Sequence, residues 1–167
     1  MEFVEGHDVN KRWLTELPHS QMVYPDALRN RIKYVFWRMY APYHPAVRDG
    51  ALAVGLVRHE GRQRYLLGTI APHLTIQQFV AHLVERGYGN HFVAWKEEGE
   101  VASLRAVQDF VYQYHIRVYA DREVRGHYEY TPECHPIAHV RETFLEERRD
   151  YFLALLGNTV TLYQTGQ

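Results

Sequence analysis

Cysteine is nearly absent from this chain. Cys134 is alone among 167 residues, so no disulfide can form within it, and a reducing, cytoplasmic setting is the expectation. Long apolar runs are absent too. No stretch approaches the length of a membrane span. The first residues, Met1-Glu2-Phe3-Val4-Glu5, have neither the basic start nor the apolar run of a secretory signal, and no membrane partner is expected. Charge of one sign is also missing. The net charge is −1 with histidine neutral, so no global basic field draws in nucleic acid, and such a role requires a local patch. The chain has no glycine-rich phosphate loop and no serine nucleophile elbow, which leaves nucleotide hydrolysis and α/β-hydrolase chemistry without support. It also has no linker, low-complexity tract or internal repeat, so residues 1–167 read as one domain with an irregular lead-in over 1–23.

Histidine and tyrosine are what the chain has in quantity, at 11 and 13 residues. Tyrosine joins an apolar ring to a polar tip, which suits half-buried sheet faces or a binding surface. So many histidines make the chain clearly cationic on modest acidification.

Periodicity sets the element order. Leu28, Ile32, Val35, Phe36 and Met39 recur at helical spacing after a candidate cap at Asp26, and Pro42 and Pro45 end that helix. Arg29, Arg31, Lys33 and Arg38 flank its apolar face, either as a phosphate-contacting stripe or, more ordinarily, as a solvated flank. Ala51–Arg58 and Gln63–Ile70 read as a hairpin. Thr75 and Gln78 form a capping box for a short helix that Gly87 terminates. Strands follow over His91–Lys96, Glu100–Val107, Phe110–Tyr119 and Val124–Tyr130. A last helix runs from about Pro136 to Leu156. The expected fold is α+β: a meander-like antiparallel sheet of about six strands with helices packed mainly on one face.

Alternation in the C-terminal hairpin sorts its side chains. Tyr112, Tyr114, Ile116 and Val118 point one way, and Gln113, His115, Arg117 and Tyr119 the other. Tyr128 and Tyr130 share a side opposite Arg125, His127 and Glu129. A loop of Asp121-Arg122-Glu123 keeps the faces matched and pairs His115 with Glu129, Arg117 with His127, and Tyr119 with Arg125. Beyond the hairpin, His135 and His139 are four apart at a helix start, where an anion is favoured.

Three readings compete. In a metal-independent phosphodiesterase, a ribonuclease in its natural form, His115, His127 or His135 act as general acid and base, Glu129 orients or pairs with a histidine, and Arg117 or Arg125 stabilises the phosphoryl charge, with Arg125 and Tyr119 as binding groups. That chemistry needs no cofactor. In a metal site, His135 and His139 with a strand His or Glu hold zinc or another divalent ion. In the third, the polar face is simply solvated. A non-catalytic module binding protein or nucleic acid through the tyrosine-rich sheet and basic first helix is the alternative from another class. His44, His59, His73, His82 and His91 are scattered and receive no role.

Residues from about His91 to Val140 resemble the TumE-type toxins of toxin–antitoxin systems. The features are the Glu-Gly-Glu-Val strand end, Tyr-Gln-Tyr-His at 112–115, Arg-Gly-His-Tyr-Glu-Tyr at 125–130, and Pro-Glu-Cys-His-Pro at 132–136 followed by His139. The resemblance implies a compact sheet-plus-helix protein acting on RNA and neutralised by an antitoxin-like protein partner.

Overall fold

The computed structural model describes residues 16–56, 66–91, 97–140 and 148–162. Its centre is one six-stranded sheet in the order β2-β3-β4-β5-β1-β6. The strands are β1 (Leu66–Ile70), β2 (Gly89–Asn90), β3 (Glu100–Val107), β4 (Tyr112–Tyr119), β5 (Glu123–Tyr130) and β6 (Val160–Thr161). All strand pairs are antiparallel. The expected α+β class is what the structure has. The meander holds for β2 through β5, and β1 and β6 extend the sheet past β5.

Helices α1 (Leu28–Tyr40), α2 (His44–Ala53), α3 (Ile76–Glu85), α4 (Pro136–Val140) and α5 (Arg149–Leu156) surround it. On the apolar face, Leu104, Ile116, Val118 and Val124 form a common core with Phe79, Val80 and Leu83 of α3 and with Phe152 and Leu156 of α5. Tyr112, Tyr114 and Tyr128 of the hairpin lie on this same side. Tyr112, Tyr114 and Tyr128 are stacked or tilted neighbours, and Tyr151 stacks on Tyr114 with ring centres 3.8 Å apart. Helix α3 starts as its capping box dictates: Thr75 Oγ1 accepts from the Gln78 amide, and Gln78 Oε1 accepts from the Thr75 amide. Gly87 takes the expected left-handed conformation, φ 85°.

Several expectations are corrected. Ala51–Arg58 is not a strand: residues up to Ala53 belong to α2, Val54–Leu56 are turn and bend, and 57–65 lie outside the described residues. Pro45 is why. It sits in the first turn of α2, where its missing N–H costs nothing, so it opens a helix rather than closing one. The N-cap of α1 is Ala27 instead of Asp26. The apolar stripe of α1 does not face the core, since Leu28, Ile32, Val35, Phe36 and Met39 are all 58–74% exposed. Helix α1 instead turns Trp37 and Lys33 toward the polar side of the sheet and the β5–α4 connection. The last helix is not seen as one rod; α4 and α5 flank residues 141–147, which lie outside the described residues, as does the His91–Lys96 strand beyond His91.

The lead-in contributes to the sheet edge. His19 bridges Asn90, and the Asn90 amide donates to the Pro18 carbonyl at 2.8 Å. A Cβ at Gly89 would collide with the Ser20 backbone, so only glycine permits this approach.

A buried histidine centre on the polar face of the sheet

The faces of the hairpin sort as alternation requires, but the register differs from expectation by two residues. His115 pairs with His127, Arg117 with Arg125, and Gln113 with Glu129. The loop is therefore Ala120-Asp121-Arg122, and Tyr119 reaches Glu97 rather than Arg125. Arg122 fixes the turn. It takes φ 73°, and its guanidinium donates to the Ile70, Ala71 and Leu74 carbonyls at 3.2, 2.9 and 2.7 Å. Those partners lie some fifty residues away, so no local signal reveals the register. A shift of two leaves every side chain on its own face.

The polar face is not solvated. His115 is 1% exposed, Gln113 0% and Glu129 3%. Buried polar groups need partners, and here they supply them to one another. His115 Nδ1 lies 3.1 Å from His127 Nε2 and 3.4 Å from Glu129 Oε1. Glu129 Oε2 is 3.1 Å from His127 Nε2 and 3.4 Å from His139 Nδ1. On the far side of the His115 ring, Nε2 meets Ser103 Oγ at 2.6 Å. Gln113 donates to Glu129 Oε1 at 2.6 Å. His91 stands edge-on to His115 and His139, with ring centres 5.0 and 5.6 Å away. It is 3% exposed, and neither of its nitrogens has a hydrogen-bond partner among the described residues.

Two triads of donors result, His115–His127–Glu129 and His91–Glu129–His139, each with its ligand atoms within 4.8 Å of one another. Glu129 belongs to both.

Burial sets the protonation states. It drives the His115 imidazole down to about 3, against hydrogen bonding to Glu129 that raises it. Burial, reinforced by the Arg105 charge, holds His91 well below its ordinary value. For Glu129, burial pushes up, but the neighbouring His139 and His127 and the hydrogen bonds from His115 and His127 outweigh it, and the carboxyl stays well below the usual range. The centre therefore sets the neutral imidazoles of His115 and His91 beside an anionic carboxylate.

The remaining predicted residues fall elsewhere. Arg117 pairs with Glu97 and Glu100, both at 3.1 Å, and Tyr119 donates to Glu97. Arg125 pairs with Glu123. His135 parts from His139: it lies 3.5 Å from Lys33 Nζ and against the Tyr130 ring, outside both donor triads. The described part of α4 is five residues long, Pro136–Val140, and it sends only His139 to the centre. Cys134 is buried beside Lys33, which donates to its sulfur at 3.4 Å, and burial raises its thiol.

Sequence reasoning missed His91, Ser103 and the pair Arg105–Glu133. The pair is bidentate, at 2.8 and 3.1 Å, and buried on both sides. The alternating pattern of β3 held a usable signal, because Ser103 and Arg105 share one side of a strand whose other side is Ala102, Leu104 and Ala106.

No family model matches the chain, and neither a curated protein nor a solved structure matches it.

Proposed function

We propose that this chain is a metal-dependent enzyme whose buried histidine centre holds a divalent transition-metal ion. His115, His127 and Glu129 form one donor group, and His91 and His139 a second on the same carboxylate; the ion draws on three or four of these donors, which leaves a position open for water. The observation that carries this reading is the convergence of imidazole nitrogens on one carboxylate, with both nitrogens of buried His91 left without a hydrogen-bond partner among the described residues. An isolated buried polar nitrogen costs about 1–3 kcal/mol, and metal coordination removes that cost.

The spacing supports the same reading. Metal–nitrogen bonds of about 2.0–2.1 Å in tetrahedral geometry separate neighbouring donors by roughly 3.4 Å. The separations of 3.1–3.4 Å around Glu129 match. Ser103, on the far nitrogen of His115, is a partner of the kind that orients a metal-binding imidazole. Imidazole donors favour zinc, iron, copper or nickel over magnesium or calcium. Histidine with a carboxylate and no thiolate is the composition of catalytic zinc sites more than of structural ones. The ion would supply Lewis acidity and an activated water.

Metal-independent cleavage of RNA receives less support. It needs a histidine that is protonated near neutral pH to act as acid, and His115 at about 3 is not one. The guanidiniums assigned to phosphate, Arg117 and Arg125, already face carboxylates.

The test is a zinc titration of chelator-stripped protein against a competing chromophoric chelator. One tight equivalent is expected, weakened by at least about a hundredfold in His115→Ala and in Glu129→Gln, because each removes a donor outright. Equal affinity in wild type and both variants would contradict the assignment.

A further inference from the structure

A cleft of about 510 Å³ opens between α1, the Ser20–Met22 segment, Arg105 of β3 and Glu133. Its size is that of a small-molecule site. Trp37, Tyr34 and Met22 give it aromatic and apolar walls, with Pro42 and Pro45 closing one side. Two guanidiniums stand at opposite depths. Arg38 is exposed, and Arg105 is 2% exposed.

Arg105 links the cleft to the histidine centre. It is paired directly across the ladder with His115, and cross-strand neighbours lie about 5 Å apart at Cβ. Its charge also acts on His91. Arg105 at the deep end of the cleft is therefore the residue that stands between it and His115.

The two arginines are not equivalent. Arg105 is engaged by Ser20, Gln113 and both oxygens of Glu133. Arg38 has no ion pair or hydrogen bond among the described residues, and it lies on the lip of an aromatic-walled space. One planar guanidinium matches one carboxylate through two parallel hydrogen bonds. A phosphate dianion calls for more donors than a single arginine.

We propose that this cleft binds a small organic monocarboxylate with a flat aromatic body, its acid group on Arg38, its ring against Trp37 and Tyr34, and its far end directed toward Arg105 and the histidine centre. This names the substrate class of the centre and rests on the metal reading only for which end of the ligand reacts. Occupancy of the cleft itself does not require an ion.

The experiment is calorimetric titration of the full chain with 3-phenylpropanoate, run on zinc-loaded and on chelator-stripped protein. The neutral amide of the same acid and a nucleoside monophosphate serve as comparison ligands. Saturable binding of the carboxylate is expected in both preparations, weaker by about tenfold or more in Arg38→Gln, as loss of a charge-assisted hydrogen bond requires. Arg38 is exposed, so this variant keeps its fold. The amide should bind no better to wild type than the acid binds to Arg38→Gln. Absence of saturable binding to wild type would overturn the proposal, as would equal binding by Arg38→Gln, or tighter binding of the nucleotide than of the carboxylate. Carboxylate binding in a chain that takes up no zinc would sink the metal reading and leave the cleft assignment standing. Zinc uptake without carboxylate binding would do the reverse.

Discussion

His115 and His127 face each other across the β4–β5 ladder, with Nδ1 of one 3.1 Å from Nε2 of the other. Two imidazole nitrogens at that distance need a proton or a metal ion between them. The first prediction concerns what orients the pair. With a metal ion on Nδ1 of His115, Nε2 would carry the hydrogen and donate to Ser103 Oγ, 2.6 Å away. Ser103→Ala removes that acceptor and leaves every ligand in place. Zinc affinity should fall by about tenfold to a hundredfold, read by competitive titration, while the denaturant midpoint of the zinc-loaded protein stays close to wild type.

Acid should destabilise the metal-free chain in a defined window. Burial, with the charges of His139 and Arg48 adding to it, takes His44 down to about 4, and burial takes His115 down to about 3. Both titrate near 6.5 when unfolded. Below 6.5 the unfolded chain binds more protons than the folded one, so stability is complete above that pH and is lost as pH falls toward the folded values. Each such group contributes at most about 1.4 kcal/mol per pH unit in that interval. Urea unfolding of stripped protein at pH 7.5 and 5 should show a loss of more than about 2 kcal/mol. A flat profile would mean that these imidazoles are not held neutral.

The Arg105–Glu133 pair is buried on both sides, at 3% and 4% side-chain exposure. Removing one partner strands a charge, so Arg105→Leu should cost about 3–5 kcal/mol. Replacing both, Arg105→Leu with Glu133→Leu, should cost less than the single change. A double-mutant cycle by chemical denaturation measures this, and additive losses would contradict the coupling.

Gly89 admits the Ser20 backbone where a Cβ would collide. Gly89→Ala should therefore cost about 1–3 kcal/mol and speed hydrogen exchange of the Asn90 amide, which donates to Pro18 at 2.8 Å. Unchanged exchange there would show that the edge tolerates the methyl group.

Much of the frame was legible because it depends on local chemistry. The Thr75–Gln78 capping box, the left-handed Gly87 and the two faces of β4 and β5 are all written within a few residues of where they act. The hairpin register was not, because Arg122 selects it through three carbonyls that belong to another part of the chain. The centre was half visible. Alternation put His115, His127 and Glu129 on one face, and His139 was singled out by its spacing from His135. His91 is brought in by β2–β3 pairing, where its amide donates to the Ser103 carbonyl at 3.0 Å, and nothing in its neighbourhood announces that. Burial of the polar face was equally hidden. On α1 it is Trp37 that is buried, rather than the apolar stripe, a choice that helical periodicity alone reads the other way round.

X-ray absorption at the zinc edge of the loaded, wild-type chain tests the central claim most directly. The account predicts a four- or five-coordinate ion with at least two imidazole nitrogens at about 2.0–2.1 Å and one carboxylate oxygen, and loss of imidazole scattering in His115→Ala. A six-coordinate shell of oxygen alone, or a spectrum unchanged by His115→Ala, would contradict it.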